Sequence, residues 1–84
     1  MPKIKSSLTS REVFARNLRR ARRMKDMTQE SLAIEAGVPR AYVSRVERGN
    51  VNISIDNADV LARAIGISLH DLVDPSKFVG FVDD

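Results

Sequence analysis

The stretch TQESLAIEAGVPRAYVSRVERG, residues 28–49, decides the fold, because it holds two helical patterns joined by a connection of only two or three residues. Thr28 is an N-cap residue whose hydroxyl can satisfy a free backbone N–H, and Met27 and Leu32 are spaced to staple around it. Leu32, Ala33 and Ala36 share one side before Gly37 supplies the left-handed residue that ends a helix. The spacing therefore predicts a helix over residues 29–36. Pro39 suits the first turn of the next helix, where a missing N–H costs nothing, and Gly49 marks its end, which predicts a helix over 39–48. Two helices meeting steeply through so short a glycine-containing turn make a helix-turn-helix unit.

The two faces of the second helix differ in chemistry. Small Ala33 lets it approach its neighbour, and Val43 and Val46 face inward one turn apart. Facing away are Ala41, Ser44, Arg45 and Arg48 at spacing i, i+3, i+4, i+7, with Arg40 beside them. This polar, basic stripe suits a DNA major groove, where guanine offers paired acceptors to arginine and thymine offers a methyl group to alanine. Gln29 opens the first helix of the pair, where free N–H groups and the helix dipole attract a phosphate. Asn50 and Asn52 follow in a loop that either touches the DNA backbone or serves only turn chemistry. Tyr42 has two readings of equal weight, a phosphate contact through its hydroxyl or packing on the rim of the core.

Outward from this unit, capping signals mark three further helices. Thr9 and Glu12 form a capping-box pair with Leu8 and Val13 as a staple, and Val13, Phe14, Leu18 and Ala21 recur at helical spacing over residues 10–24. Ser54 caps a segment over 55–65 whose apolar positions Ala58, Leu61, Ala62 and Ile65 lead to Gly66. Ser68 caps a fifth, which stops at Asp74-Pro75. The expected fold class is all-α, a compact five-helix DNA-binding domain over residues 9–74, with a basic arm over 1–8 and a tail over 75–84. Met24 and Met27 read as core filler.

Composition narrows the function. A chain of 84 residues closes a single core, and with 43% hydrophobic residues and no cysteine it is neither disordered nor a disulfide scaffold. No signal-peptide pattern or apolar run of spanning length occurs, so a soluble cytoplasmic protein without membrane contact is expected. The net charge of +3 conceals a polarised chain: residues 1–25 carry nine Lys/Arg against Glu12, whereas residues 26–84 carry five basic and ten acidic residues. Such a basic block attracts a polyanion. One histidine, no cysteine and no glycine-rich phosphate loop argue against an enzyme and against a metal or cofactor, and no separate domain is evident for a small-molecule effector.

The stretch TQESLAIEAGVPRAYVSRVERGNVNISIDN, residues 28–57, resembles the XRE, or lambda-repressor-like, family of helix-turn-helix DNA-binding proteins, over roughly residues 10–74. Within it, PRAYVSRVERG followed by NIS is similar to the controller proteins of restriction-modification systems, which are small dimeric transcriptional regulators. Ala41 and Val51 depart from the hydroxyl and basic residues that controllers often carry there, so no operator sequence is transferred. The resemblance implies that Arg40, Ala41, Ser44 and Arg45 reach base edges and that Gln29 bonds a phosphate; Tyr42, Arg48, Asn50, Asn52 and Arg23 are the further phosphate candidates. Arg22 follows Phe14 and Leu18 on the row facing the core and needs a partner; the resemblance implies an ion pair with Glu47.

The C-terminal region is rich in apolar residues for so small a core: Ile67, Leu69, Leu72 and Val73, then Phe78, Val79, Phe81 and Val82. A homodimer on a near-palindromic double-stranded site is expected, with Leu69, Leu72, Val73 and Phe78 at its interface. Two other uses of the tail are folding back on its own subunit, or binding a partner protein in the manner of an antitoxin.

Overall fold

A computed structural model describes residues 8–78. Five helices follow in order, α1 (Ser10–Met24), α2 (Gln29–Ala36), α3 (Arg40–Glu47), α4 (Ile55–Ile65) and α5 (Leu69–Leu72), with no strand among the described residues. Residues 1–7 of the basic arm, and Val79, Phe81 and Val82 of the tail, lie outside the described residues.

The helix starts follow from local chemistry. Thr9 Oγ1 accepts from the Glu12 amide at 3.2 Å while Glu12 Oε1 accepts from the Thr9 amide at 2.9 Å, which closes the capping box. Thr28, Ser54 and Ser68 each accept a backbone N–H three residues on. Between α2 and α3, Gly37 adopts φ 72°, and the Val38 amide donates back to the Ala33 carbonyl at 3.0 Å. That bond turns the chain while satisfying a carbonyl left unpaired at the helix end. Pro39 stands just outside α3 with ψ 146°, so it precedes the helix instead of occupying its first turn, and Arg48 lies just past its last turn.

One core joins the helices. Phe14, Leu18 and Ala21 from α1 meet Leu32 and Ala33 from α2, Val43 and Val46 from α3, Leu61, Ala62 and Ile65 from α4, and Leu72 from α5. Two expectations need correction. Leu72 is fully enclosed, so it belongs to this core and cannot form the centre of a contact between subunits. Met24 is half exposed at the end of α1, whereas Met27 packs against the core. The α1–α2 turn carries the chain inward only at the second of these methionines.

Candidate nucleic-acid interface

The α3 helix divides its residues by side. Val43 and Val46 are buried in the core, where α3 packs on α1 and α2, and this anchors the opposite face outward. On that face Arg40, Ala41, Arg45 and Arg48 are exposed and Ser44 is half-buried. Asn50 and Asn52 are exposed in the loop that follows, and Arg23 is exposed near the end of α1. The α3–α4 loop is fixed at its start, because Gly49 takes φ 75° and the Asn50 amide donates to the Arg45 carbonyl at 3.1 Å. Side chains of opposite function thus stand on one rigid helix, the apolar set holding the basic set in place.

Behind this face lies a buried polar junction. Arg22 Nε donates to Glu47 Oε2 at 2.6 Å and Arg22 Nη2 to Glu47 Oε1 at 2.9 Å, a two-pronged pair with both side chains almost wholly buried. The same guanidinium donates through Nη1 to the Met27 carbonyl at 2.7 Å, so one cation ties α1 both to α3 and to the turn that leads into α2. Gln29 Nε2 donates to Glu47 Oε1 at 3.1 Å. The first side chain of α2 is therefore held by the carboxylate of α3.

Tyr42, read either as a phosphate contact or as packing on the rim of the core, packs against the core. Its hydroxyl is enclosed and has no hydrogen-bond partner among the described residues, and the ring packs against the core beside Val38, Pro39, Asn57 and Val60.

A family model described as helix-turn-helix matches residues 18–72, which span α2, α3 and their turn. The chain belongs to the helix-turn-helix family. This helix-turn-helix chain is similar to control protein C.BamHI of Bacillus amyloliquefaciens, with 40% identity over 65 residues that cover 76% of the chain and 80% of that relative. Among solved structures, it is similar to the hypothetical transcription factor NHTF from Neisseria, with a TM-score of 0.79 and 35% identity over 92% of the chain and 88% of that structure. It is also similar to the restriction-modification controller protein C.AhdI from Aeromonas hydrophila, with a TM-score of 0.70 and 40% identity over 74% of the chain and 94% of that structure.

Two features of the helix-turn-helix chain escaped the sequence reading. Asn17 is fully buried in α1 and directs Nδ2 at the carbonyls of Leu72 (3.2 Å) and Asp74 (2.9 Å) where α5 ends. On either side of it, Arg16 Nη2 donates to the Pro75 carbonyl at 3.2 Å and Arg20 Nη1 to the Phe78 carbonyl at 3.4 Å. Two arginines of the basic block thus bind the chain's own C-terminal segment, and Phe78, expected between subunits, packs against its own core. The signal for Asn17 was present, because it lies four residues after Val13 and four before Ala21 on the apolar row of α1. The second feature is an apolar groove of about 530 Å³, lined by Phe14, Ile53, Ile55, Ala58, Leu69 and Val73. It assembles from three separate parts of the chain, and no local pattern marks it.

No helix among the described residues is long and apolar enough to cross a membrane.

Proposed function

We propose that this protein is a sequence-specific transcriptional regulator of the controller type, acting as a two-fold dimer on a near-palindromic site in double-stranded DNA. The outer face of α3 carries the proposal: Arg40, Ala41, Ser44 and Arg45 stand opposite the buried Val43 and Val46, on a helix that follows a short left-handed turn. In this reading these four residues address base edges, while Gln29, Arg48, Asn50, Asn52 and Arg23 address phosphates. Similarity to proteins named as control proteins supports the regulatory role. The protein acts on DNA inside the cell and has no enzymatic step of its own.

The dimer follows from specificity and from surface chemistry. One helix in one groove reads too few bases to select a site, so two are needed about 34–36 Å apart or at a multiple of that spacing. Ile55 is 77% exposed and Val73 42% exposed at the groove that Leu69 also lines. A two-fold contact brings one patch against its own copy, so the exposed isoleucine at one groove can enter the groove of the partner. Fragments selected from the source genome supply the operator. Titration onto operator, half-site and scrambled duplexes should then give affinity that falls steeply with salt, by about 0.9 in log affinity per log salt for each phosphate neutralised. Affinity that ignored both salt and symmetry would overturn the reading.

A further inference from the structure

We propose that Tyr42 serves recognition through its ring, as the positioning residue for Arg45, and not through its hydroxyl. The inference rests on the assignment of Arg45 to a base edge. Tyr42 and Arg45 are three residues apart on α3, so their side chains are neighbours on its surface. The Arg45 guanidinium carbon lies over the Tyr42 ring, 6.0 Å from its centre, within reach of the attraction between a cation and an aromatic face.

The two ends of this contact differ in freedom. Arg45 is exposed, and a long unsupported side chain there would lose rotamer freedom when it docked on a base. The ring is held on one side, because it packs against the core. It therefore forms a fixed platform for a mobile cation. The hydroxyl takes no part: it is enclosed and has no hydrogen-bond partner among the described residues. An oxygen so placed gains nothing from the fold and is not presented to a DNA strand.

The test compares Tyr42→Leu with Tyr42→Phe, each first shown to melt as a folded protein, on the selected operator and on that operator changed at the base pair that Arg45→Ala makes indifferent. Tyr42→Leu should lower discrimination between these two duplexes about two- to five-fold, the range expected for an exposed cation–ring contact. Tyr42→Phe should restore it. In the free protein, the Arg45 side-chain protons should show a ring-current shift that Tyr42→Phe keeps and Tyr42→Leu abolishes; this measurement on the parent and phenylalanine proteins suffices if the leucine variant does not fold. Equal loss of affinity in Tyr42→Phe on every duplex would overturn the proposal by placing the hydroxyl at a phosphate. Absence of the shift in the parent protein would overturn it as well. If Arg45→Ala leaves base choice unchanged at every position, the base-edge role of Arg45 itself is overturned, a failure distinct from a missing ring-current shift.

Discussion

Gln29 and Glu47 are joined by a hydrogen bond of 3.1 Å, made to the same carboxylate oxygen that accepts Arg22 Nη2 at 2.9 Å. This junction links the start of α2 to the end of α3 through a buried charge. Neither side chain of the ion pair has water to fall back on, since each is almost wholly enclosed.

Removing one charge should therefore leave the other stranded. Arg22→Met and Glu47→Leu are each expected to cost up to about 3–5 kcal/mol, whereas the double replacement should be nearly neutral. Urea denaturation of the four proteins in a double-mutant cycle measures the coupling. Coupling near zero would mean that the pair contributes nothing to the fold.

Asn17 offers a neutral counterpart. Asn17→Ala should destabilise the chain by about 1–3 kcal/mol, because carbonyls at the end of α5 lose their donor in a buried place. Asn17→Asp should be worse than alanine, since it points acceptor oxygens at acceptor oxygens. Hydrogen exchange would locate the loss at α5 and the segment after it; uniform loss throughout the chain would argue against a local clamp.

The dimer interface is tested by contrasting neighbours on α5 and α4. Ile55→Asp and Val73→Asp place charge on exposed side chains and should yield folded monomers by sedimentation. Leu72→Asp puts a charge in the core and should unfold the chain. In the monomeric variants, operator affinity should fall far more than half-site affinity, because two linked contacts become two separate ones. A dimer that survives both surface changes lies elsewhere.

Base and phosphate roles separate by sequence dependence. Arg40→Ala and Arg45→Ala should each weaken operator binding by about 1–3 kcal/mol and relax choice at one base pair. Gln29→Ala should weaken all duplexes alike and leave the salt slope unchanged, because its neutral amide neutralises no phosphate charge. Competition of operator against random DNA distinguishes these outcomes, and equal losses on both duplexes for the arginine variants would make them phosphate contacts.

Sequence by itself determined the helices and the turn, because caps, left-handed glycines and apolar spacing act within a few residues of one another. Thr9 with Glu12, Thr28, Ser54, Ser68, Gly37 and Gly66 set ends that the structure places at the same residues. The division of α3 into a buried valine side and an exposed basic side followed from periodicity in the same way. Only the tertiary structure decided what lies against what. Helix α5 is a four-residue turn, too short for periodicity to separate enclosed Leu72 from exposed Val73. Arg16 and Arg20 read as part of a basic block, yet their partners are carbonyls 59 and 58 residues away. Tyr42 allowed two readings, and only the packed core shows its ring against the core with the hydroxyl enclosed. Local hydrogen bonding and side-chain period are properties of neighbouring residues, whereas burial and long-range pairing exist only once distant segments have packed.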